Sequence, residues 1–177
     1  PTVTATTDID AYFAQGYLHA SRRMWQMELQ RRLVKGRLSE VFGQPGLSSD
    51  IWMRTLNMSG NINDDLNSLS QPAQQALNAY ANGVNAWLKN SDTLPPEFAF
   101  FDLTPTPWQA TDSLAWQKAF ALNLGQNMFA ELTRLAALKR LTPAQVQTFY
   151  PFDPLLSKQQ VSQLTTVTKT IKPAIIK

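Results

Sequence analysis

His19 is the single histidine of the chain, and its imidazole, which titrates near neutral pH, gives it the clearest capacity for proton transfer. A histidine base needs a nucleophile and an orienting acid in reach, and its neighbours Tyr17, Leu18 and Ala20 supply neither. The expected role is a packed or hydrogen-bonded structural histidine. The carboxylates offer no more. Asp8 and Asp10 stand at a helix start, where acids offset the macrodipole. Asp50 reads as the cap of a following helix, and Asp64 with Asp65 as a solvated face. No Asp-x-Asp-x-Asp-Gly calcium loop, Gly-x-Gly-x-x-Gly turn or Gly-Lys-Ser/Thr phosphate loop occurs. The absence of cysteine excludes disulfides, thiolate metal sites and a cysteine nucleophile. An N-terminal nucleophile would need Ser, Thr or Cys with a free amine as base, and Pro1 cannot serve. If the chain belongs to an enzyme, the reacting groups must come from another chain.

The charge distribution narrows the alternatives. Four of the sixteen basic residues, Lys158, Lys169, Lys172 and Lys177, lie after Asp153, the last acid, which leaves twelve basic against thirteen acidic residues in the body. A near-neutral globule with a short basic tail lacks the clustered basic face that nucleic-acid binding needs. No apolar run reaches membrane-spanning length, and residues 1–20 lack the basic, apolar, small-residue order of a signal peptide. The expectation is a chain that neither spans a membrane nor begins an unprocessed precursor.

The elements that would hold any site are mostly helical. Pro1 to Thr7, threonine-rich around Val3, reads as a short strand or extended lead-in. From an N-cap at Asp8, Phe13, Tyr17, Ala20, Met24 and Met27 recur at helical spacing, predicting a long helix to Leu33 or Val34. Gly36 and Gly43-Gln44-Pro45-Gly46 read as breakers around a short helical turn at Leu38 to Phe42. A helix capped by Asp50 should carry Ile51, Met53 and Leu56, and another should follow Ser70-Gln71-Pro72 to about Lys89. The prolines of Leu94-Pro95-Pro96-Glu97-Phe98 and Thr104-Pro105-Thr106-Pro107-Trp108 predict stiff surface connections pinned by bulky residues. Helices are expected from Asp112 to about Leu124 and from about Asn127 to Leu141. Thr142-Pro143-Ala144-Gln145 is a capping box that opens a last short helix ending by Tyr150. The reading is one helical domain over residues 1–153 and a tail over 154–177.

Several motifs, taken together and in order, resemble the α subunit of the penicillin acylase family. They begin with Tyr12-Phe13-Ala14-Gln15-Gly16-Tyr17-Leu18-His19-Ala20-Ser21-Arg22-Arg23-Met24-Trp25-Gln26-Met27-Glu28-Leu29, Arg31-Arg32 and Gly36-Arg37-Leu38-Ser39-Glu40. Asp50 with Met53-Arg54-Thr55-Leu56, Ala79-Tyr80-Ala81-Asn82-Gly83-Val84-Asn85-Ala86-Trp87 and Leu94-Pro95-Pro96-Glu97-Phe98 continue the match. Pro107-Trp108, Asp112-Ser113-Leu114-Ala115-Trp116, Leu124-Gly125-Gln126-Asn127 and Glu131-Leu132-Thr133-Arg134 extend it to about residue 141. One departure is Arg22, where the family often has an acid. Arg31 and Arg32 read as a solvated face able to pair with β-chain acids.

The resemblance implies a mainly α chain, the helical α subunit of an αββα N-terminal-nucleophile hydrolase heterodimer, with a short N-terminal strand. It implies a periplasmic or secreted amidohydrolase, autoproteolytically cut from one precursor. An N-terminal serine on the β chain would attack a linear amide of a small N-acyl substrate, such as an N-acyl-homoserine lactone or a penicillin-type β-lactam. The lysine-threonine tail would be a spacer remnant or the α-chain end. Glu131 is implied as the α chain's ligand to a structural calcium shared with the β chain. In penicillin G acylases a methionine and a phenylalanine, ten and six residues before that glutamate, pack on the substrate's benzyl group; here an ungapped count reaches Ala121 and Gly125. These small residues imply a more open acyl pocket, with Leu124, Met128 and Phe129 as further lining and a longer aliphatic acyl chain as the substrate. Plain core packing of the same stripe is the competing reading. For the chain as a whole, the competing reading is a free-standing helical binding or scaffold module.

Overall fold

The computed structural model describes residues 2–125 and 128–150. The chain divides into two compact units, Pro1–Leu124 and Gly125–Lys177. The expected tail, residues 154–177, lies outside the described residues, as do Pro1, Gln126 and Asn127.

The first unit is built on α1 (Asp8–Val34). Its N-cap is Thr7, one residue before the expected Asp8: Thr7 Oγ1 accepts the Asp10 N–H at 3.2 Å and donates to the Asp10 carboxylate at 2.8 Å. Gly16, Ala20, Met24, Met27 and Val34 form its buried stripe. At Arg23 the backbone leaves helical geometry (φ −142°, ψ 23°), so α1 is kinked there without a proline.

After α1 the chain turns through Gly36, whose φ of 62° lies in the left-handed region, into α2 (Ser39–Phe42) and α3 (Gln44–Leu56). Helix α3 starts earlier than expected. Pro45 sits in its first turn, where the missing N–H costs nothing, and Gly46 is buried against Leu38 and Ser39. Asp50 therefore lies inside α3 and caps a different helix, as described below. Helix α4 (Ile62–Ser68) forms within the weakly patterned polar stretch. Helix α5 (Gln71–Asn90) packs along α1. At their crossing both backbones rely on glycine: a Cβ at Gly16 would overlap the Tyr80 carbonyl, and one at Gly83 would overlap the Phe13 carbonyl.

The two proline-rich connections are pinned as expected. Phe98, in the short α6 (Pro96–Phe100), is 2% exposed and Trp108 is 6% exposed. Each such burial contributes on the order of 2 kcal/mol. Phe98 and Trp108 join Ala20, Met24, Met27, Ala81, Val84 and Trp87 in one core cluster. A second cluster joins Val34 and Met53 to Ala115 and Ala119 of α7 (Ala110–Leu124).

The second unit contains α8 (Met128–Ala137) and α9 (Pro143–Phe149). The capping box at the start of α9 is formed in full. Thr142 Oγ1 accepts the Gln145 N–H at 3.3 Å, while the Gln145 side chain accepts the Thr142 N–H at 2.9 Å. Among the described residues there is no strand, so the expected N-terminal strand is not formed. Residues 2–5 have no regular structure, because a strand needs a neighbouring strand to take its ladder of hydrogen bonds. No described helix is long and apolar enough to cross a membrane.

Candidate functional site

His19 projects from α1 onto α5, where its Nδ1 lies 3.0 Å from the Tyr80 hydroxyl with the two rings edge to face. Burial, and then the charge of Arg23, push the His19 imidazole below its ordinary value. Burial pushes the Tyr80 phenol up to about 12. Both groups are thus held neutral at neutral pH, and among the described residues no carboxylate orients the ring. The pair is a structural clasp between helices, as the sequence suggests, rather than a base poised on a nucleophile.

Charged residues gather instead in a buried network at the end of α1. Arg31, 5% exposed, pairs with Glu28 and approaches Asp112 at 3.4 Å. It also donates to the Thr106 and Pro107 carbonyls at 3.2 and 3.3 Å, and its guanidinium lies 5.3 Å from the Trp108 ring centroid. Lys35 reaches the other Asp112 oxygen at 2.6 Å. Arg32 joins Glu28 to Glu40, each at 2.7 Å. The reading of Arg31 and Arg32 as a solvated face is thereby corrected: their partners lie within the chain, one of them eighty-one residues away. Asp65 is likewise not simply solvated, since it pairs with Lys118 of α7.

Asp50 is 3% exposed and serves the start of α2 from its place in α3. Its carboxylate accepts the Leu38 N–H at 2.7 Å, the Ser39 N–H at 2.8 Å and the Ser39 hydroxyl. Burial raises its carboxyl, but the hydrogen bonds from Ser39 and Leu38, with the charge of Arg54, outweigh it and leave the group below the ordinary carboxylate range.

The residues expected to line an acyl pocket fall in both units. In the first, Ala121 is exposed in a shallow cleft of about 480 Å³ with Leu56, Asn57, Met58, Lys118 and Leu122, and Leu124 is 70% exposed. In the second, Gly125 is exposed, the backbone of Met128 opens α8, and Phe129 is 69% exposed. The open positions at Ala121, Leu124 and Phe129 are not core packing within this chain. Glu131, also on α8, pairs with Arg134 three residues on. Among the described residues no three His, Cys, Asp or Glu side chains group as a metal site. One carboxylate falls short of the six to eight oxygens calcium takes, so Glu131 fits only as one contribution to a shared shell.

Large apolar side chains remain uncovered in both units. Phe100 is 81% exposed in the first and Phe149 is 67% exposed in the second. Surfaces of this kind mark interaction sites.

The chain matches the penicillin amidase family model over residues 1–162. It is 37% identical over 138 residues to penicillin acylase 2 proenzyme of Pseudomonas sp. (strain SE83), covering 78% of this chain and 18% of that protein. It is 36% identical over 142 residues to acyl-homoserine lactone acylase QuiP of Pseudomonas syringae pv. tomato, covering 80% and 17% respectively. Against penicillin G acylase of Escherichia coli the identity is 29%, with 80% and 17% covered. The chain thus spans about a fifth of the length of these relatives. Its fold is similar to a chain of the thermostable penicillin G acylase from Alcaligenes faecalis, with a TM-score of 0.68, 24% identity and 89% of each chain covered.

Proposed function

Because the chain belongs to the penicillin amidase family, we propose that it is the helical, non-nucleophile α subunit of an amidohydrolase that cleaves linear amides of N-acyl compounds. The observation that carries this reading is a contrast of lengths. The fold corresponds to 89% of one chain of the solved acylase, whereas the sequence corresponds to 18% of the acylase proenzyme. A stretch that makes up most of a separate chain in one relative and a minor part of a precursor in another fits a subunit released by processing. The uncovered side chains of Phe100, Leu124, Phe129 and Phe149 favour the same reading, since a stand-alone module would bury more of them.

In this reading the reacting groups belong to a β subunit from the same precursor, whose N-terminal serine attacks the amide carbonyl with its own amine as base. The acyl group passes to that serine as the amine leaves, and water then releases the acid. The α subunit contributes surface. Ala121, Leu124, Gly125, Met128 and Phe129 line the acyl pocket, and Glu131 lends one carboxylate to a structural calcium. That ion would hold the two subunits together rather than take part in bond cleavage. Alanine and glycine at 121 and 125 favour a long aliphatic acyl group, so N-acyl-homoserine lactones rank above penicillin-type β-lactams. A periplasmic or secreted location completes the proposal.

Hydrolysis of a series of N-acyl substrates by the processed protein tests it. Rates rising with aliphatic chain length are expected, and a strong preference for phenylacetyl amides overturns the substrate ordering. Purification of a second chain whose first residue is serine is expected as well. A chain that is stable, monomeric and complete alone would instead be a binding module.

A further inference from the structure

Helix α1 carries a second stripe, flanking its buried one, and Met27 borders both. Tyr12, Gln15, His19, Arg23, Gln26 and Gln30 follow one another at spacings of three and four residues, which sets them in one row about 27 Å long. The row floors a cleft of about 470 Å³ whose walls include Tyr80 of α5, Trp108 and Trp116 of α7. Among the described residues no carboxylate lines this cleft. In the adjoining cleft of about 910 Å³, which shares His19 and Arg23 and adds Arg22, Asp8 is the only acid among the described residues.

The polar groups of the row are underused by this chain. Arg31 and Arg32, on the same helix, are saturated by Glu28, Glu40 and Asp112, whereas Arg23 has no carboxylate within ion-pair distance among the described residues. The side-chain amides of Gln15, Gln26 and the half-buried Gln30 make no hydrogen bond to another described residue. Such amides both donate and accept, which matches a polypeptide backbone running past them, and an unpaired guanidinium between them matches a carboxylate. The kink of α1 falls at Arg23 itself, midway along the row.

We infer that this row is a docking groove for an extended, carboxylate-bearing segment of the partner subunit, with Arg23 as the anion receptor and Gln15, Gln26 and Gln30 as backbone clamps. The inference rests on the two-subunit reading above. Charge complementarity selects the acid: the groove is cationic and its only histidine is held neutral by burial and by Arg23. The occupant is drawn from the four-fifths of the relatives' length that this chain does not span. The basic residues of 154–177 make that stretch a poor match for the same groove.

Photo-cross-linking of the protein made from its full-length precursor tests this. With benzoylphenylalanine at position 26, ultraviolet light should join the chain to a segment outside residues 1–177 that contains Asp or Glu. The yield should fall about tenfold in Arg23→Gln and in 1 M NaCl, because the ion pair is both removed and screened. Lys89→Gln, an equal charge change at the end of α5, should leave it unchanged. Cross-links confined to residues 1–177, an apolar segment as the target, or a yield insensitive to Arg23→Gln and to salt would each overturn the groove. N-terminal sequencing of the same sample reads the two-subunit proposal separately: two chains with no acidic cross-link sink the groove alone, and one uncleaved chain that still cross-links to an acidic segment beyond residue 177 sinks the subunit reading but keeps the groove's acidic occupant.

Discussion

Asp50 and Ser39 are joined by two contacts, the backbone N–H and the hydroxyl of Ser39 both donating to Asp50 Oδ2, so that one helix is capped by the interior of the next. The cap has a pH dependence whose sign follows from its carboxyl. Burial opposes ionisation, but the hydrogen bonds from Ser39 and Leu38 prevail and the folded-state pKa is depressed. Its contribution to stability is therefore complete above the unfolded value of about 4 and is lost as pH falls through the lower folded value. Asp50→Asn should cost about 1–3 kcal/mol at pH 7, since an amide cannot accept all three donors. Urea unfolding at pH 7 and pH 3 should show the gap between Asp50→Asn and the natural protein closing in acid.

That relationship also marks what the sequence can and cannot tell. The capping box at Thr142 and Gln145 is local, complete within four residues, and forms as read. Asp50 looks like a cap because its type and setting say so, and it is one, but of Ser39 eleven residues back, a partner no local pattern names. Pro45 reads as a breaker but sits in the first turn of α3, where proline starts a helix as readily as it breaks one elsewhere. Arg31 looks solvated because Asp112 is remote in the sequence. The proposed acyl-pocket positions Ala121, Leu124, Gly125, Met128 and Phe129 follow from family resemblance alone, for no local pattern names them.

Gly16 and Gly83 set the approach of α1 to α5. Alanine at either position places a methyl group on a backbone carbonyl of the facing helix, which cannot rotate away as a side chain could. Each substitution should destabilise the protein by about 1–3 kcal/mol or more, the range of overpacked cores. Asn82→Ala, on the exposed side of α5, should change it by less than about 0.5 kcal/mol. Equal thermal shifts at positions 16, 83 and 82 would contradict the tight crossing.

Arg31 neutralises Glu28 and Asp112 where water is excluded. Arg31→Ala should cost about 3–5 kcal/mol, because it leaves two buried carboxylates short of a partner. Arg31→Lys should recover only part of this: a single ammonium cannot reach Glu28, Asp112 and the Thr106 and Pro107 carbonyls together. A double-mutant cycle with Asp112→Asn should give a coupling above about 1 kcal/mol. Strict additivity would show that Asp112 is not an energetic partner of Arg31, whose role would then rest on Glu28, the two carbonyls and Trp108.

Ala121 bears on the acyl group through the proposed pocket. Ala121→Met adds bulk to a cleft shared with Met58 and Leu122, so long acyl chains should lose about tenfold in kcat/KM while short ones lose little. A uniform loss across chain lengths would point to misfolding of α7 instead, and circular dichroism melting would separate the two cases. No change at any length would remove position 121 from the pocket.

Glu131 distinguishes an ion-pair role from a metal role, because its partner Arg134 lies on the same helix. A part-buried pair spaced three residues apart on one helix contributes about 1 kcal/mol or less, so the pairing alone gives Glu131→Ala a small effect. If the carboxylate is the α subunit's share of a calcium site, Glu131→Ala should lower the bound calcium per heterodimer well below one and make the subunits separate at lower urea. Chelation of the natural protein should reproduce that separation. Arg134→Ala supplies the internal control: it breaks the pair but leaves the oxygen ligand in place, so calcium content should hold. Loss of calcium in both variants would mean that the orientation of α8, rather than the Glu131 carboxylate, governs the ion.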